Sequence, residues 1–136
     1  MEGQMGMVDL KRYHRIGRIP KGVSAIVGFT YSGNVYASPG VLKHIRKRHS
    51  KQLSKKILCN LESTIKDIIQ SPHFVGVNVS NKGVSLELIK QIDLPILLAL
   101  DIDKKQNYIY VASMYPISSS KVENRIHNGK LMKIKF

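Results

Sequence analysis

FVGVNVSNKGVSLELIKQIDLPILLALDIDKKQNYIYVASMY, residues 74–115, is the stretch that decides the fold. Apolar residues recur at every second position, the period of a half-buried strand. The alternation is interrupted three times: by Asn81-Lys82-Gly83, by Asp93 with Pro95, and by Asp103-Lys104-Lys105-Gln106. Strands are therefore expected over 74–79, 84–92, 96–102 and 107–115, joined as successive hairpins into a four-stranded antiparallel sheet. Strict alternation puts Leu86, Leu88, Lys90 and Ile92 on one face, with Ser85, Glu87 and Gln91 opposite. It also puts Ser113 behind Ile109 and Val111, and separates Tyr115 from Tyr108 and Tyr110, whose face continues to Met114.

Upstream, the texture is helical. Ser38-Pro39 reads as a cap followed by proline at the first helical position, opening a helix over 39–53. Val41, Leu42, Ile45 and Leu53 form its apolar stripe, which includes His49; Lys43, Arg46, Lys47 and Lys51 lie opposite. A second helix begins between Ser54 and Asn60, buries Leu61, Ile65, Ile68 and Ile69, and stops at Ser71-Pro72. Earlier still, 23–30 is β-rich and Ser32-Gly33-Asn34 turns into Val35-Tyr36-Ala37. After the sheet, 118–128 reads as a short helix with Gly129 beyond its end, and 131–136 as a closing strand. The fold class is α+β, with N-terminal helices packed on a roughly four-stranded antiparallel sheet. Residues 1–22 read as a basic N-terminal arm and 23–136 as a single domain.

Charge narrows the function. Lys and Arg total 22 against 9 Asp and Glu, for a net charge of +13. Residues 1–60 carry 12 basic and 2 acidic side chains; 61–136 carry 10 and 7. A concentrated positive field implies a polyanionic partner, nucleic acid first, an anionic surface or acidic protein second. The single cysteine, Cys59, lies beside Ile57 and Leu58 and reads as an inert core thiol. No zinc or iron–sulfur ligand set, phosphate loop, serine elbow or dinucleotide fingerprint is present. No cofactor and no metal are implied. No apolar run is long enough to span a bilayer or to form a signal peptide, so no membrane association and a cytoplasmic setting are expected.

The residues that break the apolar pattern are the candidates for chemistry. Lys90 on an apolar face must snorkel to water at an edge, pair, or serve an anionic ligand. Ser113 either bonds backbone or holds a phosphate oxygen. His44 and His49 stand about 140° apart on their helix, too far for a shared metal. His49 points with the core stripe, His44 lies at its edge beside Arg48, and Arg46, Lys47 and Arg48 surround them with charge. Tyr108 and Tyr110 either pack under a helix or stack unpaired bases.

At this point the chain resembles a known family. VYASPGVLKHIRKRH (Val35 to His49), the Ser71-Pro72 helix end, the Lys90 strand and NYIYVASMYPIS (Asn107 to Ser118) resemble a phage- and mobile-element-associated nuclease family. That family falls in the BECR superfamily, named for barnase, EndoU, colicin and RelE. The resemblance implies a metal-independent ribonuclease, often a toxin cutting tRNA or mRNA. It implies site residues at His44, His49, Lys90, Ser113 and Tyr115, with Arg125 and Lys130 as further phosphate contacts. In that chemistry a base deprotonates the ribose 2′-hydroxyl and an acid protonates the leaving 5′-oxygen, giving a 2′,3′-cyclic phosphate. His44 is the expected base or acid, and His49 its partner or a helix anchor. Lys90 and Arg48 would offset phosphorane charge, and Ser113 and Tyr115 would position oxygens. An acidic antitoxin or immunity protein would be a natural partner. The competing readings are a non-catalytic RNA-binding module and a phage or mobile-element adaptor.

Overall fold

The computed structural model describes residues 13–26, 33–81, 83–103 and 108–134. Its centre is the expected meander: β3 (Phe74–Ser80), β4 (Gly83–Gln91), β5 (Pro95–Asp103) and β6 (Tyr108–Pro116), each antiparallel to the next. The sheet, however, does not stop at four strands. β1 (His14–Arg18) and β2 (Asn34–Ala37) extend it beyond β6, and β7 (Met132–Lys133) extends it beyond β3. The order is β1-β2-β6-β5-β4-β3-β7, and β2 runs parallel to β6. The four-stranded antiparallel expectation is thus replaced by a seven-stranded mixed sheet. The added strands are two to five residues long, too short for an alternation signal, and β1 lies within the segment read as an arm. The 131–136 strand is reduced to β7.

The helices divide between the two faces. α2 (Val41–His49), α3 (Lys55–Cys59) and α4 (Leu61–Gln70) share one core with Leu86, Leu88, Leu98, Leu100 and Met114. α4 buries Leu61, Ile65, Ile68 and Ile69 as its spacing requires, each side chain contributing about 1.5–3 kcal/mol. It ends where Ser71 caps it through the Asp67 carbonyl and Pro72 cannot continue it. The first half of 23–30 is not a strand: α1 (Lys21–Ile26) starts after Pro20 and buries Val23 in this core. The second half lies outside the described residues. Cys59 is exposed, which overturns the reading of an inert core thiol.

α5 (Ser119–His127) packs on the opposite face, where Val122 joins Ile89, Leu97, Ile117 and Leu131. Its capping follows the sequence: the Ser118 hydroxyl accepts from the Lys121 amide, and Gly129 adopts φ 74° beyond the end. The Gly129 amide donates to the Ile126 carbonyl and the Lys130 amide to Arg125, closing the helix in the Schellman manner. The chain then crosses β3 at Gly76. A methyl group there would collide with the Lys130 carbonyl and the Leu131 side chain, so only glycine admits this crossing. Among the described residues, α5 is the one helix on this face, and the rest of it carries polar and aromatic side chains.

Candidate active site

A single bulge determines what that face displays. Ala99 pairs with Ser113 but Leu100 with Val111, so Ala112 has no partner in register. The extra residue inverts the alternation of β6 beyond it. Strict period-two reading separates Ser113 and Tyr115 from Tyr108 and Tyr110; the bulge reunites them. Leu97, Ala99, Asp101 and Asp103 on β5 pair with Tyr115, Ser113, Tyr110 and Tyr108 respectively. Met114 turns into the helical core instead.

Glu87 lies in line with Ala99 and Ser113 on the same face. Its carboxylate is 2.9 Å from Nη1 of Arg125, which α5 carries across the sheet. Both side chains are largely shielded, at 15% and 30% exposure, so the charge-assisted bond is well protected from water. Burial pushes the Tyr115 phenol above its ordinary pKa, the Glu87 charge adds to the rise, and Arg125 opposes it. Tyr115 therefore keeps its proton and can donate.

α2 brings the histidine. β2 pairs with β6 only at Ile109 and Tyr110, and the chain then turns through Ser38–Gly40 into α2, which packs against β6. Nine helical residues rise about 13 Å, roughly the run of the four residue steps from Val111 to Tyr115. His49, the last residue of α2, thus reaches Tyr115, with ring centroids 5.7 Å apart. The chain folds back through amide bonds from Gln52 and Leu53 to the His49 carbonyl. This turn sets Gln52 Oε1 2.7 Å from His49 Nδ1. A carboxamide oxygen only accepts, so Nδ1 carries the proton and Nε2 is left to exchange one with a ligand. The helix expected over 39–53 is shorter at both ends, and it is the turn after His49 that supplies the partner.

Ser113, Tyr115 and Arg125 accordingly share the α5 face, and His49, at the end of α2 on the helical side, meets them at Tyr115. Glu87 and Gln52 complete the group, and both escaped the sequence reading. Glu87 was legible as the acid among apolar residues in LELIK; Gln52 left no signal. Lys90 is elsewhere. It points to the helical face, where its ammonium lies 2.9 Å from Asp67 and donates to the Ser71 hydroxyl at 2.8 Å. His44 is exposed and lines a shallow cleft with Lys47 and Arg48 on α2. Arg46 Nε donates to the Leu58 carbonyl and ties α2 to α3. Lys130 is exposed beyond α5, held by the helix cap and the Gly76 crossing.

At the far end of the same face, Tyr108 and Tyr110 meet at 5.5 Å, and Tyr36 stands edge-on to Tyr108 at 6.4 Å. Tyr108 is buried, at 4% exposure, while Tyr36 and Tyr110 are half-buried. Burial raises the Tyr110 phenol, with the Asp101 and Asp103 charges adding to it. Burial likewise raises the Asp101 carboxyl, against the hydrogen bond it accepts from Tyr110. No group of three His, Cys, Asp or Glu among the described residues is placed to hold a metal ion. None of their helices is long and apolar enough to cross a membrane.

The model of the family described as phage-Barnase-EndoU-ColicinE5/D-RelE like nuclease3 matches residues 14–124. The chain belongs to this family. Membership in this phage-related nuclease family agrees with the resemblance carried by residues 35–49, and the matched span includes β1 through most of α5. It contains His49, Glu87, Ser113 and Tyr115, while Arg125 is the first residue beyond it. Neither the curated proteins nor the solved structures yield a match.

Proposed function

We propose that this member of the nuclease family is a metal-independent ribonuclease, acting on RNA at the site formed by His49, Glu87, Ser113, Tyr115 and Arg125. The observation that carries the reading is the convergence of an imidazole, a carboxylate and a guanidinium around the protonated phenol of Tyr115 in a nuclease-family chain. Those are the groups a phosphodiester transesterification requires. Glu87 accepts the proton of the ribose 2′-hydroxyl, which attacks the adjacent phosphorus. His49, oriented by Gln52 and protonated on Nε2, gives its proton to the departing 5′-oxygen. Arg125 turns from Glu87 towards the phosphorane oxygens, and Tyr115 and Ser113 donate hydrogen bonds to them. The products are a 2′,3′-cyclic phosphate and a 5′-hydroxyl.

Tyr36 and Tyr110, half-buried on the same face, offer stacking surface for unpaired bases. The surplus of positive charge draws in the RNA and suits an acidic inhibitor protein, as a toxin or effector would need. Incubation with total RNA in EDTA, with ends read for cyclic phosphate, tests the reading. Cleavage by wild type and not by His49→Ala supports it. Intact RNA with a salt-sensitive gel shift replaces it with a binding module.

A further inference from the structure

A second cleft opens beside Glu87 and Arg125. It has a volume of about 420 Å³ and is lined by Asn78 of β3, Asn124 and Asn128 at the end of α5, and Lys130. That is within the range of small-ligand sites and large enough for a purine. The three carboxamides engage no other described residue through their side chains, and all three are exposed. The backbone of Lys130 is fixed by the helix cap and by the crossing at Gly76, leaving its exposed side chain to reach the cleft. With Arg125 and Lys130 against Glu87, the lining is cationic by one charge.

We propose that this cleft is a nucleotide-specificity pocket selecting adenine, at the residue flanking the phosphate cleaved; the position of that phosphate rests on the function proposed above. A carboxamide presents a donor beside an acceptor, the complement of adenine's amino group and neighbouring ring nitrogen. Adenine alone presents that pair on both its N6/N1 and N6/N7 edges and so can engage two carboxamides at once. Guanine's O6/N7 edge instead offers two acceptors and calls for a guanidinium fork, and Arg125 is taken by Glu87 or by the phosphate. Cytosine shares the donor–acceptor order of adenine but leaves more of the cleft empty. Lys130 meets the phosphate of the same nucleotide. The pocket is assembled from β3 and the C-terminal end of α5, so it is contiguous with the face that carries Glu87 without sharing its asparagines.

The test has two arms. In the first, AMP, GMP, CMP and UMP are titrated into the whole protein while the asparagine side-chain amides are followed by NMR. AMP should shift the Asn78 and Asn124 amides and bind more tightly than the other three, and Asn78→Ala and Asn124→Ala should each weaken AMP about tenfold. Their backbone spectra should match wild type, so that lost binding is not lost folding. In the second, cleavage sites in total RNA are sequenced. Wild type should favour sites flanked by adenosine, and Asn124→Ala should flatten that preference. Cleavage with no base preference and unmoved amides overturns the pocket and leaves the ribonuclease intact. AMP binding that depends on Asn78 and Asn124, with no RNA cleaved, supports the pocket and overturns the ribonuclease. A preference for any base other than adenine overturns the selection proposed.

Discussion

The Arg125 guanidinium lies 2.9 Å from the Glu87 carboxylate and joins α5 to β4 across the face that also carries Tyr115. The pair has a structural and a chemical consequence. Glu87→Gln should keep the fold, because the amide oxygen still accepts from Arg125, yet lower RNA cleavage by about 10²–10⁴-fold as the proton acceptor is lost. Glu87→Ala should also cost about 1–3 kcal/mol of stability, since the shielded Arg125 is left without its partner. Cleavage assays beside urea melts separate the two effects. Equal activity of wild type and Glu87→Gln would remove Glu87 from the chemistry.

The two histidines of α2 should behave differently. His49 is half-buried, bonded to Gln52 and against Tyr115, whereas His44 is exposed among Lys47 and Arg48. His49→Ala should reduce cleavage by about 10²–10⁴-fold. His44→Ala should leave it within about threefold, against the expectation from sequence that His44 is the principal group. Gln52→Ala should fall between them and be recovered by Gln52→Glu, whose oxygens also accept from Nδ1. Measured kcat for the three variants decides the order.

The fold and the candidate site differ in how far the sequence made them legible. The meander was readable because each strand is long enough for its alternation to be seen and each turn is marked by Gly, Pro or Asp. The helix faces were readable because Leu61, Ile65, Ile68 and Ile69 repeat at helical spacing. β1, β2 and β7 were not, since a strand of two to five residues is held by its neighbours rather than by its own pattern. The candidate site was half legible. Ser113 and Tyr115 were nominated through resemblance while period-two counting put them on different faces from their actual partners. The inversion comes from one unpaired residue, Ala112, in a run where nothing local signals a bulge.

Lys90 supplies a negative control with a sign. Its ammonium is held by Asp67 and Ser71 at the end of α4, 18% exposed. Lys90→Met should leave cleavage unchanged. The neighbouring Asp67 is 55% exposed and stays hydrated when unpaired, so the stability change should be small, within about 1 kcal/mol. A large loss of activity in a folded Lys90→Met protein would restore Lys90 to the site and contradict the geometry.

The last relation is between Asp101 and pH. Burial raises its folded-state pKa above the ordinary carboxylate value of 3.8, and the Tyr110 hydrogen bond only partly offsets this. The folded protein therefore holds the Asp101 proton more tightly than the unfolded chain does. The stabilisation this gives is complete below pH 3.8 and is lost as pH rises through the raised folded value. Asp101→Asn removes the charge and keeps the shape, so it should raise the melting temperature at pH 7 and change it little at pH 3. The phenols of Tyr110 and Tyr115 impose the same sign at the alkaline end. Both are raised by burial, so the folded state should lose stability as pH climbs past about 10, where unfolded tyrosines begin to ionise first. Thermal melts of wild type and Asp101→Asn from pH 3 to 11 check both limbs. A melting temperature for Asp101→Asn below wild type at pH 7 would mean that the carboxylate is stabilised by its surroundings rather than strained by them.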